Sequence, residues 1–356
     1  EEFLKNEQNL LKVHSIVRTY EMLRLAIERQ IRRFNLTYAA DMDPYFQQIN
    51  QLRQMLTQCI DDVFETMTEC ANKTPEILVK IAVITERDRR DKELIRQQAK
   101  AENSQIQQYE YDGVDYVKNI QRLVTQAAEE SIRKKFQLGP DPCVDTANTM
   151  KNLQDYLDEV TVVAFDASPC FPPEYHIRDV YLNASTNKLN ELFDGWKSEK
   201  NMENITNPTI ISVLKWVNDD FIPTMDRIGV SHDQVPDFLV TLRPIQACYR
   251  ERVRGKMFEW VTNIVKEDCK QTPVTINNLL YTTAPVDLFS IVKEQIEIAK
   301  TSKSSEFIFE VVNALVTPLE QYSHLVVAQL KDSLQYNQLS EEEQENAEDK
   351  SVPLGY

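Results

Sequence analysis

Glycine is conspicuously scarce in this sequence, with 6 residues among 356 against 15 prolines. Tight hairpin turns and phosphate-cradling loops both draw on glycine for positive φ. A many-stranded antiparallel protein and a glycine-rich nucleotide site are therefore disfavoured from the outset. Long apolar runs are missing as well, and none approaches the roughly 20 residues that a membrane span requires. Histidine is nearly as rare, and His14, His176, His232 and His324 lie far apart. No GxGxxG, GxxxxGK[ST], HExxH or GxSxG pattern occurs. The six cysteines (Cys59, Cys70, Cys143, Cys170, Cys248 and Cys269) never form CxxC. In a chain of this length they read as reduced, mostly buried small hydrophobes. Four Asn-x-Ser/Thr sequons, at Asn35, Asn72, Asn183 and Asn204, are near chance and carry no weight without a signal peptide.

Positive charge is also in deficit. Lys and Arg number 40 against 56 Asp and Glu, a formal net charge of −16 and a pI near 4.9. The segment 341–350, EEEQENAEDK, holds six acids and one lysine, and so supplies −5 of that total, leaving −11. Even that remainder excludes a sequence-independent nucleic-acid binder, which needs a positive field to displace counterions. It equally disfavours direct docking on anionic lipid. The acidity fits a cytosolic scaffold. The chain opens on Glu1 rather than Met and is expected to be a fragment of a longer protein.

Helix formers fill the space that glycine leaves. With 42% hydrophobic residues the chain has ample material for a core, and its length predicts two or three domains. Val13, Ile16, Tyr20, Leu23 and Ile27, extended by Ile31 and Phe34, recur at steps of three and four and predict one apolar edge along a long helix. Ile49, Leu52, Leu56, Ile60, Val63 and Met67 form a second stripe. Ile245, Tyr249, Val253, Met257, Trp260 and Ile264 form a third. A fourth is Ile308, Val312, Leu315, Leu319, Tyr322, Val326 and Leu330, with Pro318 predicting a kink. Asp43-Pro44, Thr74-Pro75-Glu76, Asn207-Pro208 and Thr272-Pro273 read as helix restarts, since a polar cap followed by proline suits the first helical turn. No fixed repeat of 34 or 40 residues is visible.

The expected fold is all-α, an elongated rod of consecutive helical bundles. Leu138-Gly139-Pro140-Asp141-Pro142 follows the basic cluster Arg133-Lys134-Lys135 and predicts a boundary, because glycine can end a helix and proline cannot continue one. Three segments result: 1–139 as the N-proximal bundles, 140–338 as further bundles, and 339–356 as an acidic, disordered tail.

No catalytic, cofactor-binding or metal-ligating residue is assigned. Cys170 and His176 stand six apart, but no convergent Asp, Glu or Cys set accompanies them, so they read as a buried cysteine and a surface histidine. The mixed-charge block Thr85–Glu93 reads as a solvated helix face with i,i+4 pairing rather than a binding patch. Arg250, Arg252, Arg254 and Lys256 form a basic stretch whose alternate residues diverge on a helix. The stripe aromatics Tyr249, Trp260 and Tyr322 read as core.

Four ordered motifs carry a resemblance. Ile77–Arg87 is an apolar run entering an E-R-rich helix. Cys170-Phe171-Pro172-Pro173-Glu174-Tyr175 is a C-F-P-P-x-Y start. Ile210–Val217 fits I-x-S-x-L-x-W-V, and Tyr281–Pro285 with Leu288-Phe289 fits T-T-x-P-x-x-x-F. Together they cover roughly residues 75 to 300 and resemble exocyst complex component three, the Sec-six family. All four read as fold markers rather than contact residues. The resemblance implies a non-catalytic subunit of the multisubunit complex that tethers secretory vesicles to the plasma membrane before fusion. Its implied partners are the other exocyst subunits and plasma-membrane SNAREs of the SNAP-25 type, with no nucleic acid, no cofactor, and a peripheral, indirect membrane association. The implied location is the cytoplasm, at sites of exocytosis. The family's assembling N-terminal coiled coil is expected to lie ahead of Glu1. The alternative is a paralogous helical rod, of the tumour-necrosis-factor-induced type, that remodels membrane protrusions through small GTPases and actin.

Overall fold

The computed structural model describes residues 7–34, 43–101, 115–136, 146–272, 274–276 and 279–336. They form two compact units: Glu1–Pro142, Lys151–Glu191 and Thr224–Pro236 in the first, and Cys143–Met150, Leu192–Pro223 and Asp237–Tyr356 in the second. The fold is all-α apart from one two-stranded hairpin among the described residues. The expected boundary at 138–142 and the acidic tail from 339 lie outside the described residues.

In the first unit, α1 (Glu7–Arg33), α2 (Asp43–Glu65), α3 (Met67–Lys73), α4 (Pro75–Ala101) and α5 (Tyr116–Lys135) succeed one another. The restarts at Asp43-Pro44 and Thr74-Pro75 both fall at helix starts. Asp115 caps α5 by accepting from the Lys118 amide at 3.1 Å, and Arg133, Lys134 and Lys135 occupy its last turn, where they face the negative end of the helix. Next come α6 (Thr146–Val162), a wide π-helical turn (Val163–Ala167), a 3₁₀ turn (Pro173–Tyr175) and α7 (Ile177–Gly195). Phe171 is extended before its prolines (φ −118°, ψ 153°), as a pre-proline residue must be. Its ring lies 6.1 Å from Phe64 and 6.0 Å from Tyr175.

In the second unit, α8 (Glu199–Asn204) and α9 (Asn207–Trp216) lead into a second π-helical turn (Val217–Phe221). Thr206, one residue ahead of the expected start, caps α9 by accepting from the Thr209 amide. The short α10 (Ile222–Arg227) lies between that turn and Gly229, where a left-handed φ of 73° closes the helix through Val230 N–H donating to Met225 O at 3.0 Å. The long α11 (Phe238–Asp268) is capped by Asp237, whose carboxylate accepts from the Leu239 and Val240 amides. Phe238, its first residue, sits 5.2 Å from Phe193, 4.8 Å from Phe221 and 6.4 Å from Trp216. After β1 (Val274–Ile276) and β2 (Leu279–Tyr281), α12 (Ala284–Lys300) and α13 (Ser305–Tyr336) complete the unit. Tyr249 meets Phe307 at 5.2 Å and Gln329 donates to Val265 O at 3.5 Å, so α11 and α13 run parallel.

Three expectations need correction. Thr272-Pro273 does not restart a helix: Val274-Thr275-Ile276 pairs antiparallel with Leu279-Leu280-Tyr281. β-branched and aromatic side chains favour extended backbone, and the helix begins later, where Thr282 Oγ1 accepts from the Ala284 amide. In α1 the core edge is Leu10, Val13 and Val17, whereas Ile16, Tyr20 and Leu23 are about half exposed. In α13 the buried line is Phe307, Val311, Leu315 and Pro318, offset by about one residue from the expected stripe. Both helices are apolar on more than one side, and the 3.6-residue period alone cannot say which side is covered. Cys59, Cys70, Cys170, Cys248 and Cys269 are free thiols, half-buried rather than fully buried.

Phe238→Ala is expected to cost about 3–5 kcal/mol, read as a lower denaturant midpoint. A loss under about 1 kcal/mol would mean that the aromatic cluster does not hold the second unit.

Candidate interaction surfaces

Chemistry was sought first where the sequence offered it. Cys170 Sγ donates to Asp166 O at 3.2 Å, while His176 is exposed and turns to Asp179 at 3.9 Å. Burial pushes the Cys170 thiol up, and Asp166 and Glu76 add to it, which opposes thiolate chemistry. Among the described residues no group of three or more His, Cys, Asp or Glu side chains is placed to hold a metal ion.

The mixed-charge block is not a solvated face. His14 of α1 pairs with Asp88 at 2.7 Å, and Arg18 grips Asp91 through both Nε and Nη2. Asp91 is buried, as is Thr85, whose hydroxyl donates to Ile81 O. Glu86 accepts from the Tyr175 hydroxyl at 2.9 Å and from Arg89, which also approaches Glu174 at 3.5 Å. The charges of α4 thus clasp α1 on one side and the Phe-Pro-Pro-Glu-Tyr segment on the other. Sequence spacing shows only same-helix neighbours, so these tertiary partners were invisible to it.

The basic stretch of α11 is likewise committed within the fold. Arg252 donates to Ile205 O at 2.6 Å, to Met202 O and to Asn207 Oδ1, closing the carbonyl end of α8. Arg250 meets Glu310 at 3.4 Å, and Arg254 and Lys256 pair with Glu251 and Glu259.

An open groove of about 840 Å³ lies in the first unit between the α2–α3 corner and α5. Asp61 and Glu65 form one wall, Arg122 and Lys134 the other, and Phe64 and Leu123 are at its base. Burial pushes the Asp61 carboxyl up, and Arg122 opposes that rise. At one end Glu159 accepts from Ser131 Oγ and Lys135 Nζ at 2.6 Å each and from Tyr181 OH at 3.2 Å. Mixed charge, an open mouth and this internal pairing suit a protein contact better than a small-molecule pocket, whose walls are mainly apolar. The half-exposed Ile16, Tyr20 and Leu23 of α1 add an apolar stripe at the three- and four-residue steps of a helix–helix seam. No signal short of the folded packing separates this outer stripe from a core edge.

Helices that bury one face, clasp their neighbours with ions and leave apolar and charged faces open define an α-helical scaffold. Residues 46–352 match the family of exocyst complex component Sec6, and the chain belongs to that family. Among solved structures, the crystal structure of M-Sec resembles it with a TM-score of 0.59 at 13% sequence identity. That match covers 93% of this chain and 58% of the M-Sec chain, so the chain spans less than two thirds of its structural relative. At this identity the likeness speaks to fold. The helix α1 precedes the matched family span.

A double-mutant cycle of Arg18→Ala and Asp91→Ala is expected to yield a favourable coupling of about 1 kcal/mol; zero coupling would dissolve the clasp. Burial pushes the Tyr116 phenol up to about 12. Unfolded tyrosines ionise near pH 10, roughly, so the neutral Tyr116 supports folding below that pH and its contribution fades as pH climbs to about 12. Denaturant midpoints should fall across this window, and Tyr116→Phe should flatten the fall.

Proposed function

We propose that the chain is exocyst component three, a non-catalytic subunit that tethers secretory vesicles to the plasma membrane before SNARE-mediated fusion. The family match over residues 46–352 carries this reading. It acts through protein contacts: with the other exocyst subunits, and with plasma-membrane SNAREs of the SNAP-25 type. No nucleic acid or cofactor takes part. The proposed location is the cytoplasm, with recruitment to sites of exocytosis by peripheral and indirect membrane association. Among the described residues no helix is long and apolar enough to cross a membrane, which agrees with recruitment through partners.

The open faces support assembly by binding alone. The α1 stripe offers apolar area at helix-pairing spacing, and the mixed-charge groove offers orientation. Charged rims chiefly set specificity and association rate, whereas apolar anchors supply affinity.

Pull-down of the full-length protein against purified exocyst subunits and a SNAP-25-type SNARE is the test. Retention of at least two sister subunits is expected. A full-length chain that retains none of them overturns the proposal. Retention of a small GTPase together with actin in their place would favour the protrusion-remodelling alternative.

A further inference from the structure

The last helix of the second unit presents two apolar faces, and only one is used. Phe307, Val311, Leu315 and Pro318 are buried, and the contact of Phe307 with Tyr249 places this line toward α11. Across the helix stand Phe309, Val316, Glu320 and Val327, seven, four and seven residues apart, which puts them almost on one line at 3.6 residues per turn. Phe309 is 66% exposed, and Val316 and Val327 are nearly half exposed. Val312, Leu319, Ser323 and Leu330 lie along one side of that line. From 309 to 330, roughly 30 Å of helix, Glu320 is the one charged residue of this stripe.

The spacing identifies the kind of surface that fits. Phe309, Val312, Val316, Leu319, Ser323, Val326 and Leu330 alternate steps of three and four for three heptads, the pattern that receives knobs from a neighbouring helix. Lipid fits poorly. A membrane-lying helix carries Lys and Arg along its polar edge, whereas here that edge holds Glu306, Glu310 and Glu320, with Lys331 at its far end. A second copy also fits poorly. Glu320 lies at the midpoint of the stripe, so both a parallel and an antiparallel pairing of two such helices set Glu320 against Glu320. Like charges so placed oppose association.

We propose that this face of α13 seats one amphipathic helix of another protein, apolar at heptad spacing, with a Lys or Arg opposite Glu320. The inference rests on the tether reading, and the sister exocyst subunits are the source of the helix.

The test uses the full-length protein and the reconstituted exocyst lacking this subunit as the probe. Val316→Asp and Glu320→Lys should each weaken binding at least tenfold while leaving the melting curve in place, because both positions face solvent. Val316→Ile should bind like wild type. A photo-crosslinker at Val327 should label one helical segment bearing a basic residue. If Val316→Asp and Glu320→Lys both bind as wild type does, the seat is overturned and the tether reading stands. Crosslinks confined to phosphatidylcholine–phosphatidylserine vesicles, or to a second copy, overturn it too. A wild-type chain that does not join the complex overturns both.

Discussion

Phe238 packs into a cage made by Phe193, Trp216 and Phe221, and this contact fixes where the 31-residue helix α11 begins. Once that end is set, Ile245, Tyr249, Val253, Met257 and Val261 form the buried line of the helix. Tyr249 then fixes Phe307, and the rotation of α13 about its axis follows. Arg252, on another side of α11, closes the carbonyl end of α8. The outward face of α13 is therefore a consequence of aromatic packing some distance along a different helix. Edge-to-face rings such as Phe193 on Phe238, at 84°, add direction to what would otherwise be a non-directional burial of area.

The first unit is held by a different balance. Asp91, Glu86 and Glu159 are carboxylates taken largely from water, and each is met by more than one donor. Such groups add little net stability over an apolar substitute, but a lost partner leaves a charge without compensation. They select one arrangement of helices among several that would bury similar area. The carboxylate of Glu159 also holds the already buried Tyr181 phenol well above its ordinary range, since ionising it would place two negative charges side by side.

Much of the architecture was legible in the residues. Scarce glycine, proline restarts and apolar stripes led to an all-α chain, and Asp43-Pro44, Thr74-Pro75 and Asn207-Pro208 stand at or beside real helix starts. The four ordered motifs pointed to the family that residues 46–352 match. What remained hidden has one physical origin. Periodicity reports that a helix has an apolar side, not whether a neighbour covers it; hence Ile16, Tyr20 and Leu23 were taken for core while Leu10 and Val17 form it. Likewise, Asp88 and Asp91 find their partners 74 and 73 residues away, a distance that no local pattern records. Thr272-Pro273 misled because its cap-and-proline pair is shared by helix starts and strand approaches.

The π-helical turns at Val163–Ala167 and Val217–Phe221 bear on how this chain can change. At the second, Ile222 N–H donates to Val217 O, five residues back, and the wider turn lets Trp216 and Phe221 meet at 5.4 Å. In an ordinary α-helix, side chains five apart diverge by roughly 140°. A π turn is equivalent to one residue inserted into an α-helix. Deleting a single residue between 217 and 221 would thus restore regular helix and rotate all that follows by about 100°. At these two places evolution is free to exchange side chains of similar size but not to alter the count, so chain length, more than residue identity, is the inherited constraint.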